Sequence, residues 1–98
     1  MGYSEKTARF LIESRMADAA AGNADALYDL GIAYSTGTNG VELDLIEAHK
    51  WFNLAALNGS EEGMTCRAEI SYDMTEREIA EAQREARAWL RATEVRAA

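Results

Sequence analysis

The sequence contains no proline, a single cysteine and a single histidine. Each shortage removes a class of structure or chemistry. Without proline, nothing forces a helix to break, so long uninterrupted helices are permitted. The lone Cys66 excludes an internal disulfide. It reads as a buried, inert thiol. His49 has Leu45, Ile46 and Asn53 at helical spacing, which is not a metal-ligand set. That spacing reads His49 as a surface or rim side chain. Basic residues are also scarce, 10 Lys and Arg against 17 Asp and Glu, for a net charge of −7. Such a surface repels nucleic-acid phosphates and anionic membranes, and it matches basic partners. No window approaches the ~20 apolar residues of a membrane span. The opening Met1-Gly2-Tyr3-Ser4-Glu5-Lys6 lacks the basic and then apolar layout of a secretory signal, so a cytoplasmic location is expected.

The most ordered stretch of sequence is residues 24–59. Ala26, Leu30 and Tyr34 stand four apart, on one face of a helix. Gly31 removes a side chain where a second helix must come close. Gly37 and Gly40 give the backbone freedom of a turn. Asp44 is placed to cap the next helix, with Glu47 completing a capping box. Ala48, Trp51, Ala55 and Ala56 follow, and Gly59 suits the left-handed position that ends a helix. These anchors, Ala26-x-x-x-Leu30-Gly31-x-x-Tyr34 through Ala48-x-x-Trp51-x-x-x-Ala55-Ala56-x-x-Gly59, resemble the Sel-one-like repeat family, relatives of the tetratricopeptide repeats. Two departures stand out. The turn carries one extra residue in Thr38-Asn39, and Glu47 replaces a lysine common in the family. The resemblance implies an all-α fold, a short right-handed α/α solenoid, and a protein-interaction scaffold rather than an enzyme.

The flanks extend the pattern. Gly22 and Gly59 are equivalent and 37 residues apart, a usual helical-repeat period. Residues 4–21 read as an N-terminal capping helix, with Ser4 as its N-cap and Ser14 in place of the repeat's tryptophan. Residues 60–95 read as a degenerate repeat: Gly63 falls at the place of Ala26, Arg67 at that of Leu30 and Ala68 at that of Gly31. Thr75-x-x-Glu78 is a second capping box. It opens a long terminal helix whose inner face is Ile79, Ala82, Ala86, Trp89 and Thr93. This helix is expected to cover the apolar side of the last hairpin. Arg77–Glu81 and Arg91–Glu94 are spaced as ion pairs on it. The expectation is five helices, about 4–21, 24–35, 45–58, 60–72 and 75–95, in one domain of 98 residues.

No catalytic constellation is present. Gly37-Thr38-Asn39-Gly40 lacks the Lys-Ser/Thr of a phosphate loop. The carboxylates read as solvated helix faces, and Trp51 and Trp89 as packing anchors. No cofactor and no metal are expected. If the first helix of each repeat lines the concave side, as in relatives, the free inward stripe is Asp25, Tyr28, Ile32 and Ser35. Its counterpart on the fourth helix is Glu62, Thr65, Glu69 and Tyr72. Together they form an acidic trough with two tyrosines and an isoleucine, suited to a basic or amine-bearing protein segment. The expected function is therefore a non-enzymatic adaptor that binds a protein or peptide on its concave face. The alternative is a self-associating structural module or a small subunit of a larger assembly, with weak homo-oligomerisation.

Overall fold

The computed structural model describes residues 5–97. These form five α-helices and, among the described residues, no strand: α1 (Glu5–Ala20), α2 (Ala24–Thr36), α3 (Leu45–Leu57), α4 (Glu61–Ser71) and α5 (Glu76–Ala97). The bounds lie within two residues of those read from the sequence. Ser4, expected to cap α1, lies outside the described residues.

Side-chain caps set the helix starts. Asn23 Oδ1 accepts from the Ala26 amide at 3.0 Å. Ser60 Oγ accepts from the Gly63 amide at 2.9 Å. Each such cap is worth about 1 kcal/mol. At α5 the capping box is complete: the Glu78 amide donates to Thr75 Oγ1 at 3.1 Å, and the Thr75 amide donates to Glu78 Oε1 at 2.8 Å. At α3 it is only half made. Asp44 Oδ1 accepts from the Glu47 amide at 3.1 Å. The Asp44 amide, however, is already spent on the Tyr34 carbonyl at 2.9 Å. Glu47 turns instead to Lys50, 2.7 Å away. The turn between α2 and α3 absorbs its extra residue at Asn39, whose φ of 57° is one that asparagine tolerates. Gly40 in that turn has a φ of 82°, and a Cβ there would stand 2.9 Å from the Ala8 methyl, so the loop lies tight against α1.

The central element is α3, which packs on α2, α4 and α5, while α1 packs on α2. The core gathers Ala19, Ala26, Leu27, Leu30, Trp51, Leu54, Ala55 and Ala86, with Ile12, Met16 and Trp89 against them. Trp51 and Trp89 meet edge to face, ring centroids 4.8 Å apart. That geometry adds about 0.5–1.5 kcal/mol beyond area burial. Both tryptophans are thus packing anchors. Gly31 marks the close approach of α3 that the sequence suggested. It lies under the ring of Phe52.

The C-terminal helix meets the rest of the fold mainly through α3. Ala82 and Ala86 are buried at 0% and 1% exposure, and α5 uses them to pack on α3. The outer face of α4 is not covered in return: Met64 is 51% exposed and Ala68 is also exposed. The reason is the apolar content of α5, where Ala86 and Trp89 find a better match in Trp51 than in the polar α4. On the surface of α5, Glu81 pairs with Arg84 rather than with Arg77. No Arg91–Glu94 ion pair forms among the described residues.

The repeat register also relates α1 to α3. Counting back 37 residues, Ser14, Arg15 and Asp18 stand where α3 has Trp51, Phe52 and Ala55. Of those α3 residues, Phe52 packs on Gly31 and Tyr28 of α2 and Ala55 lies against Gly63 of α4. Of their polar counterparts, Arg15 pairs with Asp29 of α2 at 3.1 Å.

Candidate functional site

Both α2 and α4 lie against α3 and touch each other. Their contact is made by Tyr28 and Cys66, whose Oη and Sγ share a hydrogen bond at 3.9 Å. The Tyr28 ring also packs on Phe52, centroids 5.7 Å apart. Around this pair lies a shallow, open cleft of about 350 Å³ lined by Tyr28, Glu61, Glu62, Thr65 and Cys66. The Tyr28 phenol is held above its ordinary range, first by the hydrogen bond with Cys66, then by burial, and also by the negative charges of Glu62 and Asp29. The phenol therefore stays a neutral hydrogen-bonding group at physiological pH.

The eight stripe residues divide between several environments. Tyr28, Glu62 and Thr65 share the cleft. Asp25 is exposed in the first turn of α2. Ile32 lines a different recess of about 230 Å³ with Leu11, Ile12, Arg15 and Asp29, between α1 and α2. The Arg15–Asp29 ion pair, 3.1 Å, joins those helices beside it. Ser35 is half-buried and donates its hydroxyl to the Ile32 carbonyl at 3.1 Å. Glu69 is exposed. Tyr72 ends α4 and is 91% exposed. It is ten residues from Glu62, which sets it about 80° round the helix from the cleft.

Two cleft residues were missed in the sequence, Glu61 and Cys66. Cys66 is one helical turn beyond Glu62, so spacing alone would have included it. The sequence suggests a buried thiol, yet Cys66 is only half-buried. The α4 helix is covered by α3 on one side only, and Cys66 sits at the border of that contact.

His49 corrects the sequence reading more strongly. It is not a rim residue but is 3% exposed. Its Nδ1 is buried without a hydrogen-bond partner among the described residues, as is Trp51 Nε1. Burial, and then the positive charge of Arg67, hold the imidazole below its ordinary pKa, so it is neutral in the fold. In the repeat register His49 corresponds to Ile12 of α1. The position is thus an apolar one that happens to carry an imidazole.

Among the described residues no three His, Cys, Asp or Glu side chains are grouped to hold a metal ion. No described helix is long and apolar enough to cross a membrane. Residues 24–60 match the family model described as Sel1 repeat. No curated protein and no solved structure gave a match to the chain. The matched segment contains α2, α3 and the turn into α4, the same hairpin in which Gly31 and Phe52 meet. Repeats of this family are non-catalytic and generally mediate protein–protein interaction. At the centre of its five helices, then, the chain carries a Sel1 repeat.

Proposed function

We propose that this protein is a non-enzymatic adaptor that holds a basic protein or peptide segment along the inner side of α2 and α4. The observation that carries this reading is the cleft at which Tyr28, Glu62 and Thr65 converge, with Glu61 beside them. Tyr28 offers an aromatic face at little rotamer cost. The carboxylates beside it suit a Lys or Arg side chain laid against that ring. Asp25 extends the acidic border at the start of α2, and Glu69 extends it along α4. The site is small and open, which fits a weak or transient complex.

Self-association is the competing reading, and the net charge of −7, which sets like-charged copies against each other, argues against it. Sedimentation at several concentrations decides: a monomer throughout is expected. For binding itself, random peptides displayed on phage are selected on the full chain and counter-selected on Tyr28→Ala. Enrichment of Lys or Arg beside an apolar residue, lost on the variant, is the expected result. Equal enrichment on both proteins would remove the cleft from consideration.

A further inference from the structure

We propose that the outer face of α4, formed by Met64, Ala68 and Tyr72, docks an amphipathic helix of a partner protein whose apolar stripe is bordered by Lys or Arg. This surface is centred away from the cleft described above, and Glu61 borders both. Ala68 lies six residues from Glu62, about 120° away round the helix.

The three residues stand four apart and fall within an arc of about 80°. All three are exposed, Met64 at 51% and Tyr72 at 91%. The repeat register shows what such a face is built to meet. Thirty-seven residues earlier, Met64 corresponds to Leu27 and Ala68 to Gly31. Leu27 is 1% exposed, within the cluster that holds Trp51 and Leu54. Gly31 lies under the Phe52 ring. In α2, then, this face is closed by a helix, α3, that presents large apolar side chains to a small residue. The helix that follows α4 in sequence does not do the same, because α5 packs on α3. A docking face that this fold closes once is left open the second time. Ala68 keeps the small side chain that permits close approach.

Charge selects the occupant. Glu61, Glu69 and Asp73 are exposed beside the stripe. The nearby cation, Arg67, is engaged by Asn53 Oδ1 at 2.6 Å. A second copy of this chain would bring a surface of net charge −7 to a face already acidic. A helix bordered by Lys or Arg meets both the apolar stripe and its carboxylate edge.

The test uses the full chain and a synthetic helical peptide of about 16 residues, long enough to hold a helix. The peptide carries Trp, Phe and Ala at the spacing of Trp51, Phe52 and Ala55, bordered by Lys; a control peptide is bordered by Glu. Methyl and aromatic NMR signals of Met64 and Tyr72 are followed during titration. Saturable shifts of both are expected with the Lys peptide, weakened about tenfold by Ala68→Arg and by the Glu border. Tyr28→Ala leaves the titration unchanged, which separates this surface from the cleft. Position 68 is exposed, and circular dichroism verifies that Ala68→Arg stays folded. Absent shifts at Met64, equal binding of the Glu peptide, or shifts confined to the Tyr28 cleft would overturn the proposal. So would concentration-dependent shifts of Met64 in the protein alone, which would give the face to a second copy.

Discussion

Phe52 occupies the space that a side chain at Gly31 would need. A Cβ at position 31 would stand 2.9 Å from Phe52 Cγ and closer still to two other ring carbons. Two opposing effects follow for substitution. Alanine raises helix propensity by about 1 kcal/mol over glycine. Forcing a methyl against a ring that is 1% exposed overpacks a filled core and costs on the order of 1–3 kcal/mol. The overlap involves a rigid ring, so the cost wins. Gly31→Ala should lower the melting temperature and Gly31→Leu should lower it more, by circular dichroism. The pair Gly31→Ala with Phe52→Leu should recover part of the loss, since it removes the ring. An unchanged melt for Gly31→Leu would show that the close approach is absent.

The second prediction concerns α5. It closes the core with Ala82, Ala86 and the edge-to-face contact of Trp89 on Trp51. Lys50 ties the same interface: it lies 3.8 Å from Glu85 and 4.6 Å from the Trp51 ring. Removing α5 by truncation after Tyr72 strips all of these at once. The fragment should bind a hydrophobic dye and lose near-ultraviolet dichroism, as a chain without fixed packing does. Trp89→Ala, which removes one partly buried ring, should cost about 3 kcal/mol, the low end for a tryptophan truncation. A 1–72 fragment that melts cooperatively would make α5 an appendage.

The features legible in the sequence were those fixed by local chemistry. Gly37 and Gly59 have positive φ, Asp44 and Thr75 cap their helices, and the five helix bounds follow from such signals. The Trp51 and Trp89 anchors were legible because each sits on a strong apolar periodicity. What stayed hidden was the choice between neighbours. The pattern Ile79, Ala82, Ala86, Trp89 says that α5 has an apolar face but not whether α3 or α4 receives it. The burial of His49 is of the same kind. Its own residue type favours the surface, and only the packing of α4 over α3 encloses it. In the candidate site, spacing brought Tyr28, Glu62 and Thr65 together, but it did not place Ile32 in the α1–α2 recess. That placement depends on how far α1 leans over α2.

His49 makes stability depend on pH. The folded protein holds it neutral, with a pKa below the ordinary 6.5 because of burial and Arg67. The unfolded chain binds its proton near that ordinary value. Between the two pKa values the unfolded state therefore carries more protons, and stability falls as pH drops. The contribution is complete above about pH 6.5 and is lost progressively below it, down to the folded pKa. His49→Ile copies the residue that α1 places at the equivalent position, Ile12. It should flatten the stability profile below about pH 6.5 and remove a buried, unpaired nitrogen. Denaturant melts of both proteins across that range provide the check. A parallel pH dependence in the variant would assign the effect to the carboxylates.

The last prediction concerns the proposed peptide cleft. An exposed ion pair contributes only ~0.2–1 kcal/mol, and Asp25 is exposed. Tyr28 is half-buried, braced by Phe52 and tied to Cys66, so its ring is already fixed where a partner would meet it. Little ordering entropy remains to be lost on binding there. Affinity should therefore rest on Tyr28, with Glu62 and Asp25 steering the approach. For a selected basic peptide, Tyr28→Ala should weaken binding by about 1–2 kcal/mol. Asp25→Ala should change it by less than about 1 kcal/mol. Added salt should act mainly through slower association, because screening removes the long-range attraction and leaves the ring contact intact. Stopped-flow association and dissociation rates at low and high salt separate the two contributions. Tyr28→Ala should speed dissociation with little effect on association, and Asp25→Ala should do the reverse. If salt accelerates dissociation and the Tyr28 variant keeps its affinity, the carboxylates carry the energy and the aromatic anchor is wrong.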